Sequence, residues 1–223
     1  MRFRPVNPDP SLPARHTLYL AVTGGGKSQA LKQNPQIPAD ARVIGWDHSG
    51  DHPGIHYYGR GTFIAALKHA ITRGGPFRIF YAGDKDPQAF EWWCEVVWSI
   101  LDGKIPTVAL VEELAAVCPS AGRATPNAAV LLNEGRKYNL QFHGTSQKPQ
   151  EVAKTYFDQC TVKYIGQQKS AAMVRKMSTE LGVSEADILS LQPLEFFRDE
   201  GRAGAAERVK FKYRKPSGVI WRD

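Results

Sequence analysis

A glycine-rich segment near the N-terminus carries the residues with the clearest chemistry. Thr23–Ser28 reads Thr-Gly-Gly-Gly-Lys-Ser and lies between a strand-like run and a helix-compatible stretch. Glycines let backbone N–H groups turn toward phosphate oxygens, a lysine reaches the terminal phosphates, and a serine hydroxyl can ligate Mg²⁺. The segment therefore predicts a phosphate-binding loop made of Thr23, Gly24, Gly25, Gly26, Lys27, Ser28 and Gln29.

The loop departs from the usual G-x-x-x-x-G-K-[ST] pattern at one position. Counting back from Gly26, the place of the first glycine is taken by Ala21. A small side chain still permits close packing there. The alternative is a glycine turn with an unrelated lysine, and the strand before it and helix after it favour the phosphate loop.

Two adjacent acids follow an apolar run in the middle of the chain. Val108–Val111 reads as a buried central strand, and Glu112 and Glu113 come directly after it. Ligands of open α/β sheets bind at the carboxyl ends of the strands, so this pair should face the phosphate loop. Glu112 is predicted to hold the hydration shell of Mg²⁺, although Asp is the usual residue there, and Glu113 to polarise the attacking water. The alternative is that both begin a helix as favourable first-turn charges.

Three histidines four residues apart suggest a second candidate site. His48, His52 and His56 lie among Asp47 and Asp51 and could be taken for metal ligands. The glycines and prolines around them indicate a loop rather than a helix. A loop with a polar lining is the simpler interpretation.

These residues require a framework of alternating strands and helices. Hydrophobic periodicity and the positions of glycine and proline predict strands at 16–22, 41–46, 77–82, 107–111, 139–145 and 161–165. They predict helices at 27–34, 62–72, 88–101, 128–137 and 170–181. The helix at 88–101 carries an apolar stripe of Phe90, Trp93, Val97 and Leu101. This alternation predicts an α/β fold with a mostly parallel central sheet flanked by helices. We expect an arm at 1–15, a core at 16–166, and a segment at 167–223 that completes the same domain.

The C-terminal part contains a row of alternating cations. Residues 208–214 alternate charged and apolar side chains, so a strand there would present the cations on one face. Pro216, Ser217 and Gly218 are predicted to turn it into a small β hairpin with Val219–Trp221. Such a row suits a DNA backbone, and an ordinary solvated strand face is an equal alternative. With one arginine of the loop at 119–127, the candidate DNA contacts are Arg123, Arg208, Lys210, Lys212 and Arg214.

Composition excludes several classes of protein. The 223 residues carry 29 Lys+Arg and 22 Asp+Glu, a net charge of +7 that favours a polyanionic partner. No apolar stretch approaches the roughly 18 residues of a membrane span, and the first residues lack the apolar core of a secretory signal. The three cysteines lie far apart, which argues against a disulfide framework or a thiolate zinc site. We therefore expect a protein that works in a cytosol.

The stretch from Leu131 to Pro149 resembles the FtsK–HerA superfamily of P-loop ATPases. In that pattern a helix ends in Gly-Arg-Lys, here Gly135–Lys137, a strand follows at once, and a Thr-x-Gln-x-Pro segment closes it, here Thr145–Pro149. The resemblance implies that Gln147 senses the γ-phosphate or the attacking water, and that Arg136 is an arginine finger reaching a neighbouring subunit. An amide can orient water, and a guanidinium can neutralise charge on the transferred group. Taken alone, Arg136 is better explained as a cation near a helix C-terminus.

The resemblance covers residues 16–165 and implies a P-loop NTPase that uses ATP and Mg²⁺. Within the superfamily, the short chain looks most like the small viral genome-packaging ATPases of the A32-like, tectivirus and corticovirus type. That implies an ATP-driven double-stranded DNA translocase, acting as a homo-oligomeric ring, expected to be a hexamer. The implied partners are capsid vertex proteins and a viral membrane, without a transmembrane segment of its own. The implied location is the host cytoplasm and the packaging vertex of the virion. The implied catalytic residues are Lys27, Glu113, Arg136 and Gln147.

Three alternatives remain open at this point. A plasmid or cellular DNA translocase of the HerA or FtsK type would carry the same motifs. A nucleotide-dependent assembly switch would use the same pocket with negligible DNA-stimulated turnover. A small-molecule kinase would need an acceptor pocket and lid arginines, and the stretch from Gly-Arg-Lys to Thr-x-Gln-x-Pro would have no purpose in it.

Overall fold

The computed structural model describes residues 4–201, 206–215 and 217–223, which form a single ten-stranded sheet flanked by helices. The strands are β1 Thr17–Leu20, β2 Arg42–Trp46, β3 Gly54–Tyr57, β4 Phe77–Tyr81, β5 Thr107–Val111, β6 Leu140–Ser146, β7 Val162–Ile165, β8 Glu195–Asp199, β9 Glu207–Lys210 and β10 Val219–Arg222. The α-helices are α1 Lys27–Lys32, α2 Arg60–Arg73, α3 Pro87–Ser99, α4 Pro126–Glu134, α5 Lys154–Gln159, α6 Ala171–Leu181 and α7 Glu185–Ser190. Short 3₁₀ turns cover Leu114–Val117, Gly135–Tyr138 and Pro149–Glu151.

The sheet is mostly parallel, as the sequence predicts. The strand order is β10-β3-β4-β2-β5-β6-β1-β7-β8-β9, and antiparallel pairing occurs between β7 and β8 and between β8 and β9. The central strands are buried along their whole length, because helices cover both faces of a parallel sheet. The predicted α/β fold, with a mostly parallel central sheet flanked by helices, is confirmed.

The two faces of the sheet bury clusters of different size. Leu18 and Leu20 of β1 join a large cluster with side chains of α2 through α7, whereas Tyr19 and Ala21 point into a smaller one beneath α1. The predicted stripe on α3 is buried in the large cluster, with Trp93 fully covered. Of the described residues, the smaller cluster is completed by partly buried side chains at 37, 209 and 211. The face beneath α1 therefore depends on the C-terminal chain for part of its cover.

The predicted C-terminal hairpin is wrong. The strand expected at 208–214 ends at Lys210, and it pairs antiparallel with β8 rather than with Val219–Arg222. Strand β10 instead pairs in parallel with β3 at the opposite edge of the sheet. Ser217 and Gly218 precede β10, and Pro216 of the proposed turn lies outside the described residues.

A connecting stretch carries the chain between these two edges. We call residues 211–215 the C-terminal crossing segment. It runs past α1, where the Gln33 Nε2 donates to the carbonyl of Lys212 at 2.7 Å. The backbone of Arg214 exchanges hydrogen bonds with the Gln29 side chain, at 2.8 Å and 3.0 Å. These bonds hold the segment against α1, so the chain does not turn back to pair with β9.

Two strands were missed by sequence reasoning. Strand β3 lies in the stretch interpreted as a loop, so His56 is a strand residue and is fully buried. Strand β8, Glu195–Asp199, contains three charged residues among five and has no clear alternation. Both strands are short and near a sheet edge, where pairing with neighbours outweighs local pattern.

The N-terminal arm packs against the end of the sheet distant from the phosphate loop. The Arg136 Nη1 donates to the carbonyl of Pro10 at 2.7 Å and also to that of Leu12. The Val6 N–H donates to the Leu101 carbonyl at 3.2 Å. Residues 1–3 of the predicted arm lie outside the described residues. Among the described residues, no helix has the length and apolar character needed to cross a bilayer.

Two of the buried histidines, His16 and His143, should make the protein less stable in acid. Burial lowers the pKa of His16 to about 4 and that of His143 to about 3. The unfolded chain protonates them near pH 6.5, so their stabilising contribution is complete above pH 6.5 and is lost as pH falls toward the folded values. From pH 7.5 to pH 5, we expect the free energy of unfolding to fall by about 2 kcal/mol for each histidine.

Urea titrations at the two pH values measure this loss. A His143→Asn variant should show a smaller decrease, whatever its absolute stability, because only His16 of this pair still titrates. His69→Gln, at an exposed position on α2, serves as the control and should leave the decrease unchanged. Equal free energies of unfolding at pH 5 and pH 7.5 in the wild type would contradict the prediction.

Candidate functional site

The glycine-rich loop turns sharply between β1 and α1. Gly24 and Gly26 have φ values of 75° and 98°, a region that favours glycine. A Cβ on Gly26 would also lie 2.6 Å from Cδ2 of Leu194. Lys27 is the first residue of α1, so the loop delivers its N–H groups and the helix N-terminus to one place, as an anion site requires.

The alanine at the first motif position has a packing explanation. A Cβ on Gly25 would lie 2.9 Å from the Cβ of Ala21, and one on Gly166 would lie 2.8 Å from it. The methyl group of Ala21 is therefore enclosed by two glycines. A small residue is required there, and the departure from glycine does not disturb the loop.

Lys27 lies at the base of the loop. Its side chain is buried, and its Nζ donates to the carbonyls of Ala21 at 3.0 Å and Val22 at 3.2 Å. Burial lowers the pKa of Lys27, and the carboxylates of Glu113, Glu112 and Asp51 act in the opposite direction. The lysine thus faces acidic side chains across the site, which holds its positive charge where phosphate would bind.

The three central strands place the predicted acids beside the loop. Strand β6 lies between β5 and β1, so the segments that follow these strands meet at one edge of the sheet. The Thr23 Oγ1 donates to Gln147 Oε1 at 2.5 Å, and the Gln147 N–H lies 3.2 Å from both carboxylate oxygens of Glu113. Gln147 therefore connects the phosphate loop to Glu113 directly.

Glu113 is held in an uncommon backbone conformation. Its φ of 57° is in the left-handed region, which non-glycine residues seldom adopt. Ser146 Oγ donates to its carboxylate at 2.8 Å, and its own N–H donates to Thr145 Oγ1 at 3.1 Å. The carboxylate is thus positioned by the end of the neighbouring strand.

Both carboxylate oxygens of Glu112 already have hydrogen-bond partners. His52 Nε2 lies 2.5 Å from Oε1, and Thr145 Oγ1 donates to Oε2 at 2.6 Å. Burial tends to raise the pKa of Glu112, but the hydrogen bonds from His52 and Thr145 lower it overall. Glu112 therefore stays ionised within a fixed network, and a contact to Mg²⁺ through water would use its remaining acceptor capacity.

His48 and His56 contact groups other than Glu112. His56 Nε2 lies 3.1 Å from Asp47 Oδ2, and His48 Nε2 lies 3.3 Å from the Asp84 carbonyl. Hydrogen bonds from His56 and His52 outweigh burial and lower the pKa of Asp47 to about 2. Within the described part of the chain, no group of three or more His, Cys, Asp or Glu residues could hold a metal ion.

A cavity of about 430 Å³ opens at this edge, within the range of about 300–1,000 Å³ that small-molecule sites occupy. It is lined by Gly24, Gly26, Lys27, Ser28, Gln29, Ser49, Asp51, Glu112, Glu113, Gln147, Pro193, Leu194 and Tyr213. The Ser28 hydroxyl and the carboxylates are hard oxygen donors of the type that Mg²⁺ prefers. Burial and the negative charge of Glu112 raise the pKa of Asp51, so the acidic side of the cavity favours an added cation. The residues present therefore fit a magnesium-bound polyphosphate.

Other predicted residues lie outside this cavity. Arg136 precedes β6, at the opposite end of the parallel strands from the loop, and both of its hydrogen bonds to described residues use Nη1. Arg208 and Lys210 both pair with Glu195, at 2.6 Å and 3.2 Å. Lys212 and Arg214 lie in the C-terminal crossing segment, so the four cations do not share one strand face. Arg123 is exposed on its loop. The arginine finger and the DNA contacts stay predictions.

Sequence reasoning missed several residues of the site. The loop interpreted as a polar lining contributes Asp51 to the cavity, but the contact of His52 with Glu112 was not anticipated. Pro193, Leu194 and Tyr213 come from the distant C-terminal part and form an apolar side of the cavity. No local motif marks them, because only the folded chain brings them to the loop. Gln29 lines the cavity, and its side chain is bonded to the backbone of Arg214.

Known proteins resemble this chain in sequence and in fold. No family model matches the sequence. Protein P9 of Pseudoalteromonas phage PM2 is 34% identical over 186 residues, which cover 82% of this chain and 83% of that protein.

Solved structures extend the likeness in fold. The genome packaging NTPase B204 from Sulfolobus turreted icosahedral virus 2, in complex with AMPPCP, has a TM-score of 0.73 at 14% identity and covers 91% of this chain and 100% of that one. The bacterial conjugative coupling protein TrwBΔN70 has a TM-score of 0.62 at 13% identity and covers 98% of this chain and 90% of that one. The chain therefore belongs to the family of phage PM2 Protein P9, and it shares its fold with a viral genome packaging NTPase and a conjugative coupling protein.

Proposed function

We propose that this chain is an ATP-driven double-stranded DNA translocase that packages a viral genome into a preformed capsid. The observation that carries the proposal is the hydrogen-bonded connection from Thr23 through Gln147 to Glu113, at the edge where the phosphate loop ends. A genome packaging NTPase and a conjugative coupling protein with the same fold support nucleotide-driven packaging or translocation of DNA. The family relationship to a phage protein favours the viral role.

The proposed chemistry uses the residues that line the cavity. Backbone N–H groups of Gly24–Ser28 and the Lys27 ammonium bind the β- and γ-phosphates of ATP. Glu113 accepts a proton from the attacking water, Gln147 orients that water, and ADP leaves as the bond to the γ-phosphorus breaks. A Mg²⁺ ion, held by Ser28 and through water by Glu112, would neutralise phosphate charge.

The proposed assembly places further residues at subunit contacts. The protein acts as a homo-oligomeric ring, most simply a hexamer, in which Arg136 approaches the nucleotide of a neighbouring subunit. Exposed cations, among them Arg123 and those of the C-terminal part, follow the DNA backbone without reading its sequence. Capsid vertex proteins, and a viral membrane where one is present, are the partners at the packaging vertex in the host cytoplasm.

An ATPase assay with and without duplex DNA tests the proposed motor. We expect Mg²⁺-dependent release of phosphate that duplex DNA increases several-fold, and this stimulation should weaken as salt rises. The matched control is DNA added to the Lys27→Ala variant, which should release no additional phosphate. Tight ATP binding with negligible turnover at every DNA concentration would contradict a motor function and favour an assembly switch.

Packaging needs its own readout. With purified empty capsids, ATP and linear duplex DNA, we expect part of the DNA to become resistant to nuclease. DNA-stimulated hydrolysis with no protected DNA would favour a plasmid or cellular type of translocase. Hydrolysis that depends on a small-molecule acceptor and not on DNA would favour a kinase.

A further inference from the structure

The C-terminal crossing segment is fastened to the helix of the phosphate loop on both sides of Tyr213. Before it, the Lys212 carbonyl accepts from Gln33 at 2.7 Å. After it, the Arg214 N–H and carbonyl both bond to the Gln29 side chain. Since Gln29 and Gln33 belong to or directly follow α1, the backbone of Tyr213 has a fixed position relative to the loop.

A second anchor holds the start of the segment. The Phe211 N–H donates to the Leu194 carbonyl at 2.9 Å, and its ring packs against Phe196 and Tyr164 with centroids 5.8 Å apart in each case. The backbone bond fastens the segment to Leu194, which also lines the cavity.

Leu194 itself is joined to the phosphate loop. Its N–H donates to the Gly25 carbonyl at 3.0 Å, and its side chain fills the space where Gly26 lacks a Cβ. Its φ of 70° is rare for a bulky residue, so the surrounding contacts must hold this conformation. Leu194 and Pro193 thus form an apolar wall whose place is set by the loop.

In contrast to its fixed backbone, the Tyr213 side chain is largely exposed to solvent. It is 69% exposed, and none of the aromatic side chains in the described ranges stacks on its ring. It lines the same cavity as Lys27 and Ser28. A large exposed ring on a fixed backbone, beside an apolar wall, is suited to contact a planar ligand.

We propose that Tyr213, together with Leu194 and Pro193, binds the base of the nucleotide whose phosphates occupy the loop. One cavity joins a polyphosphate site to an aromatic and apolar side, and a purine nucleoside triphosphate matches both ends. The ring contributes a stacking face rather than hydrogen bonds to the base edge, so adenine and guanine nucleotides should both use it. This inference rests on the proposed nucleotide-binding function and adds the residues that hold the base.

Binding measurements with and without a base test the inference. The dissociation constants of ATP and of inorganic tripolyphosphate are measured by calorimetry for the full chain and its variants. We expect Tyr213→Ala to raise the dissociation constant of ATP about tenfold or more and that of tripolyphosphate by less than about twofold. Tyr213→Phe keeps the stacking face and should bind ATP within about twofold of wild type. Tyr58→Ala, at another exposed tyrosine that does not line the cavity, is the matched control.

The outcomes separate this inference from the function on which it rests. If Tyr213→Ala binds ATP as tightly as wild type, the base lies elsewhere. If that variant loses affinity equally for ATP and tripolyphosphate, Tyr213 acts through the loop and the inference is overturned. If the wild-type protein binds neither ligand, the proposed nucleotide-binding function itself fails.

Discussion

Replacing Lys27 with alanine should lower the rate of ATP hydrolysis by about 100- to 1,000-fold. The Nζ is buried at the base of the loop and faces Glu112, Glu113 and Asp51. Without the ammonium, those carboxylates would face the γ-phosphate unopposed, and charge developing in the transition state would lose its nearest compensating group. Phosphate release under saturating ATP measures the effect.

Lys32→Ala provides the control for this prediction. Lys32 lies at the end of the same helix, so its removal tests helix packing and net charge without altering the base of the loop. We expect it to retain activity within about threefold of wild type. Thermal unfolding of both variants shows whether the fold is kept. Hydrolysis by Lys27→Ala at a rate close to that of wild type would defeat the assignment of the phosphate loop.

Glu113→Gln should abolish turnover and leave ATP bound. An amide cannot accept the proton of the attacking water, so the loss in rate is expected to be about 10²–10⁴-fold. The substitution preserves shape, and Ser146 Oγ and the Gln147 N–H can still donate to the remaining carbonyl oxygen. ATP affinity should therefore change little. Glu151→Gln, at an exposed carboxylate nearby, is the control and should remain active.

Mixed assemblies of this variant test the role of Arg136. In the proposed ring, Arg136→Ala subunits have intact Glu113, and Glu113→Gln subunits have intact Arg136. Mixing them restores complete sites only if the arginine acts across an interface. We expect each variant to be inactive alone and mixtures to recover part of the activity. Because Arg136 also bonds to Pro10 and Leu12, Arg136→Lys should be compared as a variant that keeps the charge. Absence of recovery at every ratio would assign Arg136 to holding the arm.

The parts of the site that the sequence predicted lie directly after buried strands. Strands β1 and β5 are apolar runs, so local pattern predicted Lys27 and Glu113 after them. Strand β6 is buried but contains Gln, His, Thr and Ser, and Gln147 after it was predicted from the family resemblance. Parallel strands place their carboxyl ends at one edge, which explains why these residues meet in space. The pairing of His52 with Glu112 was not predictable, because β3 and its preceding loop gave no periodic signal.

The C-terminal part shows where local reasoning fails. A Pro-Ser-Gly stretch between two short strand-like runs is typical of a hairpin, but pairing depends on which sheet edge the chain can reach. Here Gln29 and Gln33 bind the crossing segment, and β3 accepts Val219–Arg222 as a neighbour. The same crossing brings Tyr213 to the cavity. The incorrect prediction of the strand pairing and the failure to predict Tyr213 in the site therefore have one physical cause.

A crystal structure with AMPPCP and Mg²⁺ is the most direct test of the central claim, that the phosphate loop and the acidic pair enclose one triphosphate. We expect the β- and γ-phosphates to contact Lys27 and the N–H groups of Gly24–Ser28, with the γ-phosphate facing Glu113 and Gln147. An analogue bound away from this edge, or a γ-phosphate remote from Glu113, would contradict the account.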